Sequence, residues 1–193
     1  MPSTGTRSPA HLKGGILSPL LANIALSVLD EHFTQKWEAL GSEWKRSKHR
    51  HAGGAICRFI RYADDSVVMV SGSRDDAEAL RDEVTSVLAP MGLSLSEEKT
   101  KVCHIDEGFD FLGFRIQRRL QRGSNKRKVY TYPSKKSLAS VMGKVRALTR
   151  KSRHRALADL LRQLNPVLLG WCNYFRRGVS KWTFGYVDSF AWW

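Results

Sequence analysis

Residues 56–72 read Ile-Cys-Arg-Phe-Ile-Arg-Tyr-Ala-Asp-Asp-Ser-Val-Val-Met-Val-Ser-Gly, and this stretch decides the fold. Two runs rich in β-branched and aromatic residues, 56–62 and 66–70, flank the short segment Ala63-Asp64-Asp65. Such runs favour strands, and a tight acidic segment between them favours a turn. We therefore predict a β-hairpin with two adjacent aspartates at its tip.

The paired aspartates are candidate ligands for Mg²⁺. Neighbouring carboxylates repel each other, and a turn needs only one Asp for its backbone hydrogen bonds. A magnesium ion offsets this repulsion, because it prefers hard oxygen ligands on a rigid scaffold. Two such ions about 3.5–4 Å apart can activate a hydroxyl nucleophile and stabilise a leaving pyrophosphate. Asp64 and Asp65 are therefore metal-site candidates, although an ordinary surface turn remains the alternative for an isolated pair.

Amphipathic helices are predicted on both sides of the hairpin. The first begins with Ser18 as N-cap, runs to about Trp37, and has an apolar face at helical spacing. That face consists of Leu17, Leu20, Leu21, Ile24, Val28 and Leu29. The second helix opens with a capping box at 73–76 and ends at Pro90 and Gly92. Its inward residues are Ala77, Leu80, Val84, Val87 and Leu88.

The remaining stretches around the hairpin are predicted as a loop and short strands. Residues 41–55 are polar, basic and glycine-containing near their end, which favours a loop. Short strands are expected at 93–95 and 102–105. Two further strands, within 108–116 and 129–133, are expected to be joined by a turn near Gly123.

Positive charge is concentrated in the second half of the chain. The formal net charge is +14. Residues 1–110 carry 13 basic and 16 acidic side chains, whereas residues 111–193 carry 19 and two. Such a field attracts polyanions, above all nucleic acid. A solvated basic face or a ribosome-like tail is the alternative. The candidate RNA-binding residues are Lys135, Lys136, Lys144, Arg146, Arg150, Lys151, Arg153 and Arg155.

After Pro133 the composition becomes helical, and we place a domain boundary there. One apolar stripe is formed by Leu138, Val141, Met142, Val145 and Leu148, and another by Leu157, Leu160, Leu161 and Leu164. Asn165-Pro166 is expected to break the chain before a third helix over 167–175. The chain thus divides into a mixed α/β part, 1–133, and a basic helical part, 134–193.

Composition also excludes several classes of protein. A content of 42% hydrophobic and 10% aromatic residues is that of a folding chain. No run of 18 apolar residues predicts a membrane span, and the first 15 residues lack the apolar core of a secretory signal. Cys57, Cys103 and Cys172 lie far apart, which argues against a disulfide framework or a zinc finger and favours a reducing, cytoplasmic location.

The chain resembles a known family in five blocks. Tyr62-Ala63-Asp64-Asp65 is similar to the active-site signature of reverse transcriptases, and its companions resemble the reverse transcriptase–maturases encoded by group II introns. These companions are, in the family's order, GGILSPLLANI (14–24), LSLSEEKT (93–100), FDFLGF (109–114) and, between 164 and 175, LNP, GW and NYF. The resemblance implies an α+β fold, in which a partial palm of short antiparallel strands packed by two helices precedes a basic helical thumb.

The resemblance also implies roles for the matching residues. Asp64 and Asp65 would be the palm's Mg²⁺-site carboxylates, and Lys99 would face the leaving phosphates as a further catalytic group. Contacts to the nucleotide and primer would come from Gly14, Gly15, Tyr62, Ala63, Phe111, Leu112 and Gly113. A surface position for Lys99 and core packing for the Phe111 group remain open. Trp171 and Tyr174 are interpreted as core residues of the thumb helices rather than base-stacking platforms.

Two functions follow, together with a reservation about activity. The first is an RNA-directed DNA polymerase that copies RNA from a DNA primer with Mg²⁺. In the family the fingers and the first catalytic aspartate precede the Gly14 block, and no Asp or Glu occurs here before Asp30. We therefore expect these 193 residues to be inactive alone, unless an upstream fragment docks. The alternative is a maturase-like cofactor that binds intron RNA without polymerising, and a remnant without selected activity is a third.

Overall fold

The computed structural model describes residues 18–151 and 156–192. The chain divides into two units between Val102 and Cys103, and each combines helices with one antiparallel sheet. This arrangement confirms the predicted α+β class. The sequence-based boundary near Pro133 concerns a different division of the chain and stays a prediction.

The first unit contains the predicted hairpin and its two flanking helices. Its elements are α1 (Ser18–Ala39), α2 (Glu43–His51), β1 (Ile56–Tyr62), β2 (Asp65–Ser71), α3 (Arg74–Leu88) and a 3₁₀ turn (Ala89–Met91). β1 and β2 pair antiparallel, with Ile56 opposite Ser71 and Tyr62 opposite Asp65. The hairpin therefore closes through the two residues Ala63 and Asp64.

One face of the hairpin packs against α1 and α3. The buried residues of this core are Leu29, Phe33, Cys57, Leu80, Val84 and Leu88. The Phe33 and Phe59 rings stack with their centroids 4.9 Å apart. Because side chains alternate along a strand, Cys57 and Phe59 face this core while Ile60 and Tyr62 face away from it. Ile60 and Tyr62 are exposed accordingly.

Helix α3 begins with the predicted capping box. The Ser73 hydroxyl accepts a hydrogen bond from the Asp76 N–H at 3.1 Å, and the Asp76 carboxylate accepts one from the Ser73 N–H at 2.7 Å. The bonds from Ser73 lower the pKa of Asp76. At the other end Gly92, with φ of 67°, follows the 3₁₀ turn. The predicted start and end of this helix are both confirmed.

The predicted apolar face of α1 is buried only over its second half. Leu29 packs into the core, whereas four other stripe residues are between 40% and 62% exposed. These four are Leu20, Leu21, Ile24 and Val28. The reason is spatial: the neighbours of α1 among the described residues, β1 and α3, pack around Leu29 and Phe33. Leu17 lies outside the described residues.

Two predictions for the stretches around the hairpin were wrong. Residues 43–51 are helix α2 rather than loop. Ser42 caps this helix by accepting a bond from the Lys45 N–H, and basic residues in the last turn complement the helix dipole, so a polar helix is stable here. The strands expected at 93–95 and 102–105 are absent. In the described chain that region is turns, such as the Thr100 N–H donating to the Ser96 carbonyl at 2.8 Å.

Glu83 joins α3 to α1. Its carboxylate lies 2.7 Å from His32 Nε2 and 2.5 Å from Lys36 Nζ. Burial raises the pKa of Glu83, but the hydrogen bonds from Lys36 and His32 outweigh burial, so the pKa falls below its ordinary value of 4.5. Protonation in acid should therefore weaken this junction.

The Glu83 junction makes the stability of the first unit pH-dependent. Because the folded pKa lies below the unfolded one, the stabilisation is present above about pH 4.5 and is lost as pH falls through the folded value. We expect Glu83→Gln to lower the free energy of unfolding by about 0.5–1 kcal/mol at neutral pH and by less in acid. Urea unfolding of both proteins between about pH 7 and pH 3 measures this. An equal difference at every pH would contradict it.

The second unit is a three-stranded sheet with three helices. Its elements are β3 (Phe109–Phe111), β4 (Phe114–Leu120), β5 (Arg127–Pro133), α4 (Lys135–Lys151), α5 (Leu157–Phe175) and α6 (Lys181–Trp192). The strand order is β3-β4-β5, all antiparallel. Gly123, with φ of 74°, lies in the predicted turn between β4 and β5. None of the helices in the described ranges has the length and apolarity needed to cross a lipid bilayer.

The helices of the second unit bury one predicted stripe and part of another. The core includes Val141 and Val145 of α4, as predicted, with Leu164, Phe175 and Val187. Of the second stripe Leu157 and Leu161 are 70% and 43% exposed, because α5 packs into this core from Leu164 onward, through Leu164 and Phe175.

The predicted break at Asn165-Pro166 was wrong. Helix α5 runs continuously through Pro166 to Phe175. A proline inside a helix removes one hydrogen bond and costs about 3 kcal/mol. The apolar residues on either side, Leu164 and Phe175, are both buried, and this packing outweighs the local preference. The third helix of the unit is therefore the terminal aromatic segment and not residues 167–175.

Candidate metal centre and nucleic-acid surface

The hairpin tip presents two adjacent carboxylates to solvent. Asp64 and Asp65 are both exposed. Ala63 adopts a left-handed conformation with φ of 54°, which costs a residue with a Cβ about 1 kcal/mol or more. Strain of this kind is typical of functional turns. Asp65 pairs across the strands with Tyr62, so both belong to the face that points away from the core.

Arg61 fixes this tip to helix α1. Its Nη1 donates to the Ala63 carbonyl at 2.9 Å and to Asn23 Oδ1 at 2.9 Å, while Nε donates to Asp30 Oδ2 at 3.0 Å. Nη2 donates to the same Asp30 oxygen. The Arg61 side chain is only 14% exposed, and the bond to Asp30 raises its pKa. The strained loop is thus held from its own strand and from the neighbouring helix.

Sequence reasoning missed Arg61 and its partners. The available signal was register: Arg61 follows Cys57 and Phe59 at alternate positions, so it occupies a core-facing position where a charge needs a partner. Asp30 is the first acidic residue of the chain, but its pairing with Arg61 is a tertiary contact that no local pattern indicates.

Removing the Arg61 side chain should loosen the hairpin tip. Hydrogen bonds to a charged group contribute about 1.5–3 kcal/mol, and we expect Arg61→Ala to lower the free energy of unfolding by about that amount. Chemical shifts of the Ala63 and Asp64 amides should move as well. A double-mutant cycle with Asp30→Ala measures the coupling, and strictly additive losses would contradict a direct role for the pair.

The carboxylate pair fits part of a magnesium site. Within the described ranges neither Asp64 nor Asp65 forms an ion pair, so four oxygens remain available as hard ligands. No group of three or more His, Cys, Asp or Glu side chains suited to a metal occurs in that part of the chain. The pair would therefore hold Mg²⁺ with water or with ligands from another molecule.

The other predicted palm residues are either not bonded to the tip or outside the described residues. Lys99 is exposed in the turn over 96–100, and no hydrogen bond or ion pair joins it to Asp64 or Asp65 in the described chain. Gly14 and Gly15 lie outside the described residues. The roles implied for these three residues thus stay predictions.

In the second unit the predicted primer residues form a tightly held loop. Phe111 and Phe114 pair across the β3–β4 hairpin, so the loop consists of Leu112 and Gly113, whose φ values are 48° and 79°. A Cβ on Gly113 would lie 2.8 Å from the Ser137 hydroxyl. Two positive φ angles define a type I′ turn, for which glycine is favoured.

Helices α4 and α5 hold the Leu112–Gly113 loop in place. The Gly113 carbonyl accepts bonds from the Ser134 N–H and the Ser137 hydroxyl, both at 2.9 Å. The Leu112 carbonyl accepts one from the Tyr174 hydroxyl at 2.8 Å. A cleft of about 430 Å³ opens beside the loop, lined by Lys136 and Trp171 among others. The loop is therefore both packed and accessible.

Trp171 and Tyr174 belong to one aromatic cluster. The Trp171 ring lies 4.8 Å from Phe175 and 5.8 Å from Phe184, and its Nε1 is buried without a partner among the described residues. Tyr174 packs its ring against Phe114 and Phe175 but is 55% exposed. Trp171 is therefore a core residue, as the sequence predicts, whereas Tyr174 is a core residue only in part because half of it is exposed.

Helix α4 presents exposed cations outside its buried stripe. The five described candidates are exposed: Lys135, Lys136, Lys144, Arg146 and Arg150. Arg146 also lies 4.8 Å over the Phe190 ring. In the part of the chain that is described, no carboxylate forms an ion pair with any of these five. The Lys151 side chain, Arg153 and Arg155 lie outside the described residues.

Comparison with known protein families identifies the class of protein to which the chain belongs. Residues 12–116 match the family described as reverse transcriptase (RNA-dependent DNA polymerase). Residues 138–193 match the group II intron, maturase-specific domain. The first match covers more than half of the chain, so the chain belongs to the reverse transcriptase family. The second match places it among the group II intron type, which confirms the resemblance found in the sequence.

Individual relatives support the same assignment. Protein YkfC of Escherichia coli (strain K12) is 34% identical over 155 residues, which cover 69% of this chain and 41% of that protein. Group II intron-encoded protein LtrA of Lactococcus lactis subsp. cremoris is 26% identical, covering 93% and 41%. Nuclear intron maturase 1, mitochondrial, of Arabidopsis thaliana is 30% identical, covering 62% and 20%. The chain spans about two fifths of the first two relatives.

Proposed function

We propose that this chain supplies the metal-binding hairpin and the thumb of an RNA-directed DNA polymerase of the group II intron type. The observation that carries the proposal is the Asp64–Asp65 pair, exposed at a strained tip that Arg61 anchors. This tip lies within the segment that matches the reverse transcriptase family. The substrates would be an RNA template, a DNA primer and deoxynucleoside triphosphates.

In the proposed site the two aspartates would hold Mg²⁺. When bound, the ion would supply Lewis-acid activation of a primer hydroxyl and charge neutralisation at the leaving phosphates. Arg61 keeps the carboxylates in position through the Ala63 carbonyl. Tyr62, on the same face as Asp65, would lie along the nucleic acid, and the Leu112–Gly113 loop would support the primer end. We place Lys99, Gly14 and Gly15 in the roles that the resemblance implies.

Metal binding at the tip can be tested with Mn²⁺ in place of Mg²⁺. We expect Mn²⁺ to broaden the amide resonances of 63–66 selectively, because a paramagnetic ion relaxes the nuclei nearest to it. Asp64→Asn with Asp65→Asn should abolish this broadening. Glu97 and Glu98, an exposed adjacent acidic pair, provide the matched control as Glu97→Gln with Glu98→Gln. Equal broadening at both acidic pairs would contradict a specific site.

We also propose that this polypeptide alone does not extend a primer. A two-metal centre uses several carboxylates, and the described residues bring only Asp64 and Asp65 together at the tip. Primer extension with Mg²⁺ by the isolated 193 residues would overturn this.

We further propose a cytoplasmic location, which the three free, separated cysteines favour.

A second candidate function is that of a maturase-like cofactor which binds intron RNA without polymerising. It is favoured by the match of 138–193 to the maturase-specific domain and by the exposed α4 cations, which form no ion pair within the described ranges. Such a protein should retain group II intron RNA and speed its splicing when Mg²⁺ is scarce. Asp64→Asn with Asp65→Asn should leave this effect unchanged. Loss of splicing assistance in that variant would favour the polymerase interpretation.

A further inference from the structure

Helix α2 is a basic element in a unit whose overall charge is not basic. It carries four Lys or Arg residues and two histidines against the single acid Glu43. Residues 1–110 together carry more acidic than basic side chains, so the net charge of this segment is negative although α2 is strongly basic. The positive charge is therefore a local property of this helix.

One side of α2 is anchored to the rest of the unit. The Arg46 guanidinium lies 4.2 Å from the centroid of the Trp37 ring of α1, and Arg58 of β1 lies 4.8 Å from the same ring. Cation–π contacts of this kind contribute about 0.5–1 kcal/mol or more each. Arg46 thus determines which side of α2 faces the unit.

The opposite side of α2 carries an exposed tryptophan. Trp44 lies two positions before Arg46, which is more than half a helical turn around the axis, and it is 70% exposed. Lys48 and His51 follow at i+4 and i+7 on the same face, and Lys48 Nζ lies 5.5 Å from the Trp44 centroid. His51 Nδ1 donates to the Ser47 carbonyl at 2.7 Å, so the other ring nitrogen is not used in that bond.

We infer that this face of α2 binds single-stranded RNA, with a base stacked on Trp44 and phosphates on Lys45 and Lys48. An exposed aromatic ring among cations is the arrangement that binds unpaired strands, because every base has a face to stack and every linkage has a charge to neutralise. The surface belongs to the first unit, whereas the α4 cations belong to the second. Only the choice of RNA over DNA rests on the proposed function.

Fluorescence anisotropy with a labelled oligouridine of about 20 nucleotides tests the inference on the full chain. We expect Trp44→Ala to raise Kd between about fivefold and a hundredfold, and Trp44→Phe to retain most of the affinity. Trp182 of α6, which is 89% exposed, gives the matched control. Trp182→Ala should leave Kd unchanged. Lys45→Glu with Lys48→Glu should also reduce the dependence of binding on salt.

The outcomes separate this inference from the proposed function. If Trp44→Ala has no effect on Kd, or the same effect as Trp182→Ala, the inferred RNA-binding surface on α2 is contradicted. The proposed function still stands in that case if charge reversal on α4 weakens binding. If the unaltered chain binds no RNA, both fail. A dependence on Trp44 that is equal for duplex RNA contradicts base stacking. An affinity for oligothymidine equal to or above that for oligouridine overturns the choice of RNA.

Discussion

Reversing three cations of α4, as Lys136→Glu, Lys144→Glu and Arg150→Glu, should lower the affinity for RNA at least about a hundredfold at about 50 mM salt. All three are exposed, and no carboxylate in the described chain pairs with them. Each cation that neutralises a phosphate of a single strand releases about 0.7 counterion, so three contacts contribute about 2 units to the logarithmic salt slope. The added negative charges then repel the strand.

Binding titrations at several salt concentrations measure this effect. We expect the slope of log K against log salt to fall by about 2 in the triple variant, and the two proteins to converge as salt increases. Lys135 and Arg146 are left unchanged, since Arg146 packs over the Phe190 ring and its loss would also disturb the packing of α6. The far-ultraviolet circular dichroism of the variant should match that of the unaltered chain.

The β4–β5 hairpin provides a control with the same change in net charge. Arg122, Lys126 and Lys128 are exposed there and are not part of α4. Arg122→Glu, Lys126→Glu and Lys128→Glu alter the total charge equally, so any long-range effect of charge is the same in both variants. A loss of affinity as large as that of the α4 variant would show that the chain attracts RNA by overall charge, without a defined surface on α4.

The elements that the sequence predicted well carry their signals within a few neighbouring residues. The hairpin at 56–72 needs only two β-rich runs and a turn, and the α3 capping box needs only Ser73 and Asp76. The stripe of α4 is correct for the same reason, because Val141 and Val145 recur at helical spacing in a segment without competing signals.

The errors arose where packing or a cap outweighed composition. Residues 43–51 are polar apart from Trp44, and their composition favours a loop, yet the Ser42 cap and a favourable distribution of charge stabilise a helix. Pro166 predicts a break, but burial on both sides keeps α5 continuous. In α1 the error has the opposite direction, because a face predicted to be buried is exposed over its first half. An apolar pattern predicts a buried face but does not indicate which neighbouring element covers it.

The two candidate metal ligands were predictable from the sequence, whereas the residues that hold them in position were not. Asp64 and Asp65 follow from the turn and from the family resemblance. The bonds from Arg61 to Ala63 and Asp30 join residues up to 31 positions apart, and a single sequence has no signal for such a pairing. The same holds for the bond from Tyr174 to Leu112, which spans 62 positions.

The largest expected effect on stability comes from Phe175→Ala. Phe175 is 3% exposed, and its ring lies 4.7 Å from Phe114 of β4 and 4.8 Å from both Trp171 and Tyr174. It therefore joins α5 to the sheet of the second unit. Truncating a buried phenylalanine costs about 3–5 kcal/mol, because apolar contacts are lost and a cavity remains. That is a large share of the total stability of an ordinary domain, about 5–15 kcal/mol.

Urea unfolding, combined with hydrogen exchange of the β4 and β5 amides, measures the loss from Phe175→Ala. Leu169→Ala is the matched control on the same helix, since Leu169 is 62% exposed and its truncation should change the free energy of unfolding by about 0.5 kcal/mol or less. Phe175→Leu should fall between the two, because it retains much of the buried volume. Exchange should also accelerate at Leu112 and Gly113, since Tyr174, which holds that loop, packs directly on Phe175. A loss from Phe175→Ala no larger than that from Leu169→Ala would contradict the placement of Phe175 at the centre of this core.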